Sequence, residues 1–178
     1  MTAASLSDIY SAVTSGIGTL KGPLHGGANE QVMRTLKEIG TAENAMGWLE
    51  TALAEKRKIM GFGHRVYKNG DPRAKILRHM SESLGKLAGE PQWYEISKTL
   101  DEEMQKRKKL LPNVDFYSAS VYYSMGIPLD LYTPIFATSR VSGWLAHAQE
   151  QYEKNRIYRP RGEWVGKKAL KWAPFAQR

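Results

Sequence analysis

The sequence predicts a mainly α-helical chain, and three observations carry that prediction. Apolar residues recur at helical spacing almost throughout. Asp71 and Thr133 each precede a proline in the pattern of a helix start. No stretch alternates apolar and polar residues as a strand would. No internal repeat is found.

The elements follow in order. Over 29–39, Val32, Met33, Leu36 and Ile39 share one helix face. Gly40 ends that helix, and Thr41 can cap the next. The second helix runs to about 55, with Ala42, Ala45, Met46, Leu49 and Leu53 inward. Asp71 then reads as an N-cap with Pro72 in the first turn. The helix that follows is expected to bury Ile76, Leu77, Met80, Leu84 and Leu87. Gly89, Glu90 and Pro91 interrupt, and Trp93, Ile96, Leu100 and Met104 mark another helix. A short helix over 116–125 stops at Gly126. Thr133 and Pro134 open a long helix to about 153, again as cap and first-turn proline.

Composition bounds the function. The chain has 178 residues, 42% hydrophobic and 25% charged, so it reads as one or two globular domains rather than a disordered or collagenous chain. No apolar run reaches the ~18–20 residues that span a bilayer. The N-terminal MTAASLSDIY has neither the basic cluster nor the apolar run of a signal peptide. The expectation is a soluble, cytoplasmic protein. Cysteine is absent, which excludes a disulfide framework, a Cys-ligated metal and a Cys nucleophile. The net charge of +8 suits nucleic acid or small anionic ligands equally. Its basic residues form only small clusters at 56–58, 106–109 and 156–161, and solvated faces account for most of them.

Three interruptions, at 21–27, 59–70 and 111–118, set titratable residues beside glycines or helix starts. In GPLHGGANE, His25 stands just before a helix N-terminus, where free N–H groups favour a neutral imidazole. Such an imidazole can donate to an oxygen becoming an enolate, but a histidine there can equally be a cap or a satisfied loop residue. In GFGHRVYK, the glycines around Phe62 suggest backbone contact with a planar ligand, and Lys68 offers a charge for phosphate. The spacing is not that of a P-loop or a dinucleotide fingerprint, and a tight turn between helices is the simpler reading. In PNVDFYS, Asp115 can be a general base or merely an N-cap. His79 and His147 lie on helices, where a surface or packing role suits them better than a metal site. No Gly-x-Ser-x-Gly elbow supports serine hydrolysis.

Taken together and in order, GPLHGGANE, GFGHRVYKNGDPRA and PNVDFYSASVYYSMG closely resemble the citrate synthase family. SRVSGWLAHAQEQ followed by RPR matches it as well, so the resemblance covers about residues 5–166. The wording is similar to the bacterial branch that includes 2-methylcitrate synthases. The resemblance implies a complete small, CoA-binding domain over 27–126. Residues 1–26 and 127–178, the latter a helix and an arm, belong to a large domain.

The resemblance also implies the roles. His25 binds the thioester oxygen of acetyl-CoA, and Asp115 removes the methyl proton. His64 binds the carbonyl oxygen of oxaloacetate and protonates it. Arg73 and Arg140 grip oxaloacetate carboxylates, and Arg159 serves the neighbouring subunit's site. Gly61, Phe62 and Gly63 meet the adenine of CoA, and Lys68 its phosphate. The implied reaction is condensation of acetyl-CoA with oxaloacetate and water to citrate and free CoA. CoA takes part as co-substrate, and neither a metal nor a covalent cofactor is implied. The alternatives are propionyl-CoA giving 2-methylcitrate, and a non-catalytic fragment or assembly module. The residue types suit the chemistry independently. Deprotonation beside a thioester needs a base and a donor on the oxygen, and arginines hold dicarboxylates in forks. No nucleic-acid or membrane partner is called for.

The departure from the family is length, since its members are roughly twice as long. The resemblance implies that this chain opens inside a helix preceding the first motif. It also lacks an upstream histidine that binds oxaloacetate. Apolar faces over 127–144 and 145–152, including Ile135, Phe136, Val141, Trp144, Leu145 and Tyr152, are then expected to lie uncovered. A homodimer, or a complex with a separate N-terminal half, follows as the expected remedy.

Overall fold

Helical spacing in the sequence becomes helix in a computed structural model that describes residues 1–22 and 25–177. Seven α-helices cross the described residues: α1 (Ile9–Leu20), α2 (Ala28–Ile39), α3 (Ala42–Ala54), α4 (Pro72–Leu87), α5 (Gln92–Lys108), α6 (Val114–Ser124) and α7 (Tyr132–Glu153). Short 3-10 turns lie at Ala3–Ser5, Leu129–Leu131 and Phe175–Gln177. Among the described residues there is no strand, only an isolated antiparallel bridge between Phe62 and Pro112. The predicted helical class therefore stands.

Helices α2, α3, α5 and α6 enclose the core. Val32, Met33, Leu36 and Ile39 of α2, Leu49 of α3, and Ile96, Leu100 and Met104 of α5 are all buried, as their spacing predicts. Phe116 and Tyr117 of α6 complete it. α4 packs along α6, while α1 packs along α7. Among the described residues no helix is long and apolar enough to cross a membrane.

α4 corrects the sequence reading. Ile76 and Leu87 are 65% and 85% exposed, and Met80 is exposed too. The face turned inward carries Ala74, Ser81 and Gly85 instead. The reason is proximity. Ser81 Oγ lies 2.7 Å from Ser120 Oγ of α6, and a Cβ on Gly85 would come within 3.3 Å of the Glu90 carbonyl. Small side chains let the backbones approach, so Ile76, Met80 and Leu87 turn outward, while Leu77 packs against the core as expected and Leu84 is half-buried.

Three further differences concern the ends of helices and α7. α1 begins within the chain, where the Asp8 carboxylate accepts from the Ser11 amide, rather than being entered midway. α7 starts at Tyr132 without a side-chain cap. Thr133 donates instead to the Gly26 carbonyl at 3.1 Å, tying α7 to the turn before α2. Ile135, Phe136, Val141, Trp144, Leu145 and Tyr152 are half-buried rather than bare. α1 covers part of that face, and the Tyr152 hydroxyl donates to the Ser7 carbonyl at 2.7 Å.

Candidate active site

Three loops and the start of α7 build one cleft. His25 precedes α2, and its turn is closed by His25 N–H to the Gly22 carbonyl and Ala28 N–H to the His25 carbonyl. Pro23 and Leu24 of this motif lie outside the described residues. The imidazole is exposed at the mouth, edge-on to the Phe136 ring of α7 at 6.3 Å.

The loop between α3 and α4 is laced to the loop before α6. Gly63 N–H donates to the Leu111 carbonyl, Asn113 N–H to the Gly61 carbonyl, and Asn113 Nδ2 to the Gly63 carbonyl at 2.9 Å. Gly61 has φ +86°, and a Cβ there would sit 2.8–2.9 Å from Phe116 and Val32. This glycine therefore lets the loop settle on the core. The Phe62 ring also turns inward, 4.5 Å from the Phe116 ring. Gly63 lines the cleft, while Lys68 is exposed on the loop.

His64 is held in a defined tautomer. Its Nδ1 accepts from the amides of both Val66 and Tyr67 at 3.0 Å, so the ring proton resides on Nε2. A neutral donor thus results from local backbone geometry. The Tyr67 ring lies 4.6 Å from the imidazole and 5.7 Å from the Arg73 guanidinium, which steadies both.

Asp115 is not the N-cap of α6. Asn113 holds that position, its Oδ1 accepting from the Asp115 amide at 3.0 Å. The Asp115 carboxylate is thereby released, and its buried Oδ1 has no hydrogen-bond partner. Burial pushes its pKa up to about 6 against the pull of Arg73 and Arg140, with the charge of Asp71 adding to the rise. An unpartnered carboxylate that ionises near neutrality is what a proton acceptor requires.

Arg73, in the first turn of α4, is gripped by Asp71 through Nε at 2.9 Å and Nη2 at 2.8 Å. Arg140, one turn after Phe136 on α7, lies 5.1 Å over that ring. His25, His64, Arg73, Asp115, Phe136 and Arg140 together line a cleft of about 490 Å³. Two positive side chains, two histidines and one raised carboxylate facing a common space can hold a dianion and move a proton beside it. Arg159 is not in this cleft. It is exposed on the extended tail and lines a separate groove with Arg156, Tyr158 and Arg161. Among the described residues no cluster of His, Asp and Glu has the geometry of a metal site.

Sequence reasoning missed Asn113 and Phe136, and it read Asp71 as a cap alone. An asparagine two residues before the aspartate was the available signal for the first. Phe136 and Arg140, four apart on a helix, share a face.

Residues 1–161 match the sequence profile described as "Citrate synthase, C-terminal domain". Citrate synthase 2 of Bacillus subtilis is 59% identical over 98% of this chain and 47% of its own length. 2-methylcitrate synthase 1 of Corynebacterium glutamicum is 45% identical over 97% of this chain and 45% of its own. Among solved structures, the ternary complex of carboxymethyl coenzyme A and oxaloacetate with citrate synthase from Thermoplasma acidophilum superposes with a TM-score of 0.92. It shares 42% identity over 99% of this chain and 49% of that one. The chain therefore spans about half the length of the relatives it matches.

Proposed function

The chain belongs to the citrate synthase family, and on that premise we propose that it is the C-terminal part of an enzyme condensing acetyl-CoA with oxaloacetate to give citrate and CoA. The observation that carries this reading is the convergence of His25, His64 and Asp115 with Arg73 and Arg140 on one cleft. Arg73 and Arg140 hold the two carboxylates of oxaloacetate. Asp115 takes the methyl proton of acetyl-CoA while His25 donates to the thioester oxygen, which carries the enolate charge. The enolate carbon attacks the oxaloacetate carbonyl, and His64 Nε2–H supplies the proton to the new alkoxide. Water then cleaves the citryl thioester and releases CoA as a free thiol. The turn over Gly61, Phe62 and Gly63 offers its outer backbone to the adenine, and Lys68 a charge to phosphate. Phe62 contributes through its main chain, because its ring packs against Phe116.

On this reading 27–126 is the small domain, and 1–26 and 127–178 are the large domain's share. The site is completed by more protein, either a second copy to which Arg159 reaches or a separate N-terminal half. The cytoplasm and the tricarboxylic acid cycle are the corresponding setting. The kinship to 2-methylcitrate synthases supports propionyl-CoA as the alternative acyl donor. One extra methylene is worth only ~1–3 kcal/mol of discrimination. The test is release of free thiol from acetyl-CoA, and separately from propionyl-CoA, in the presence of oxaloacetate. Absence of release from either, in the chain alone and with an N-terminal half supplied, would reduce it to a non-catalytic module. Sedimentation at micromolar concentration reports the assembly, and a mass of one chain with cooperative unfolding would refute a required second copy.

A further inference from the structure

We propose that Asp71 is the positioning residue of this site, aiming Arg73 into the cleft and fixing the start of the helix that bears Asp115. The inference rests on the proposed function and deepens it, because it concerns how the same site takes a dicarboxylate.

An N-cap needs one acceptor oxygen, and serine or asparagine supplies it as well as aspartate. Asp71 does more than that. Its side chain is fully buried, and its two oxygens accept four hydrogen bonds. Oδ1 takes the Arg73 amide at 3.0 Å and Arg73 Nε at 2.9 Å. Oδ2 takes Arg73 Nη2 at 2.8 Å and the Val114 amide at 3.1 Å. A buried charge is retained only where paired donors offset its desolvation. Capping alone therefore does not account for a carboxylate at this position.

The geometry has two consequences. The fork to Asp71 uses Nε and one hydrogen of Nη2, so the other planar edge of the guanidinium, Nη1 with Nη2, remains for a ligand carboxylate. An arginine without this brace would distribute among many rotamers and lose entropy on binding. Val114 is the first residue of α6, and its amide has no intrahelical partner. Asp71 supplies that partner from the cap of α4, one residue before Asp115. The anchor for the dicarboxylate and the proton acceptor are thus referred to the same buried carboxylate.

The test compares the chain with its Asp71→Ser variant, which keeps a good cap but removes the fork. Binding of L-malate, an unreactive dicarboxylate, is measured by calorimetry, and the Arg73 Nε–H resonance is followed by NMR. The expected result is malate binding weaker by roughly 10–100-fold, with the slowly exchanging Arg73 Nε–H signal lost while unfolding stays cooperative. Equal affinity in both proteins, or an Nε–H equally protected in both, overturns the proposal. Should the native chain bind no malate, the dicarboxylate reading fails on its own. The Nε–H signal then decides the role of Asp71: loss in the variant upholds it, and retention overturns it. If the serine variant does not fold, Asp71→Asn keeps shape and cap but removes the acceptor of Arg73 Nη2 and of the Val114 amide; weaker malate binding is expected there too, and equal affinity overturns the proposal.

Discussion

Helices α2–α6 and the α1–α7 pair close in different ways. In the first unit Met33, Leu36, Leu49 and Ile96 are wholly buried among side chains from four helices. In the second, the 22 residues of α7 bury only Ala148 and Tyr132, and Tyr132 does so in the core of the first unit, where its hydroxyl donates to the Ala119 carbonyl. Beyond it the tail holds Trp164, Val165, Trp172 and Phe175 in the open, with Val165 93% exposed. The first unit thus holds the hydrophobic core, to which α7 adds only Tyr132, while the second leaves apolar side chains in the open. The cleft lies on the seam. His64, Arg73 and Asp115 come from the first unit, Phe136 and Arg140 from the other, and His25 from the turn between α1 and α2.

Four measurements separate the two units. The largest effect is expected at Asp115, on the closed side of the seam. Asp115→Ala should lower condensation by ~10²–10⁴-fold while the fold survives, because Asn113 and not Asp115 caps α6. Unchanged thiol release would remove Asp115 from the chemistry.

Next come paired truncations in the two units. Ile96→Ala, at a wholly buried site, should cost ~2–5 kcal/mol of unfolding free energy. Leu145→Ala on half-covered α7 should cost well under half of that. Equal losses in denaturant titrations would mean that the units share one core and that the contrast is false.

A third change acts only on the α1–α7 contact. A Cβ on Gly16 would sit 2.9 Å from the Trp144 ring. Gly16→Val should therefore cost ~1–3 kcal/mol by overpacking. Faster amide exchange confined to α1 and α7 would support two separately closing units, whereas loss of protection in α2–α6 as well would merge them.

The smallest effect is in pH. A base with a pKa of about 6 loses its active form below that value, so activity should fall ~tenfold per unit beneath it. Stability moves the other way. The folded pKa lies above the ordinary 3.8, so the native state binds the extra proton between those values and gains stability as pH falls through them. Asp115→Asn should abolish that gain. A turnover profile flat from pH 5 to 7 would contradict the buried setting of the carboxylate.

Much of this was already legible in the chain. Apolar spacing determined the helices and most of the core, because residues three and four apart must share a helix face whatever lies opposite. Long loop motifs marked His25, His64, Arg73, Asp115 and Arg140, and all five line the cleft. Tertiary structure decided what spacing alone cannot express. It buried Ala74, Ser81 and Gly85 of α4 in place of Ile76, Met80 and Leu87, since the approach to α6 selects for size before hydrophobicity. It gave the cap of α6 to Asn113 and so left Asp115 unpaired, and it turned Asp71 from a cap into a four-bond anchor. These are partnerships between residues up to 50 positions apart, such as Asn113 with Gly63. Sequence names the donors and acceptors. Only the packed chain decides which of them meet, because a hydrogen bond is set by distance and angle in space.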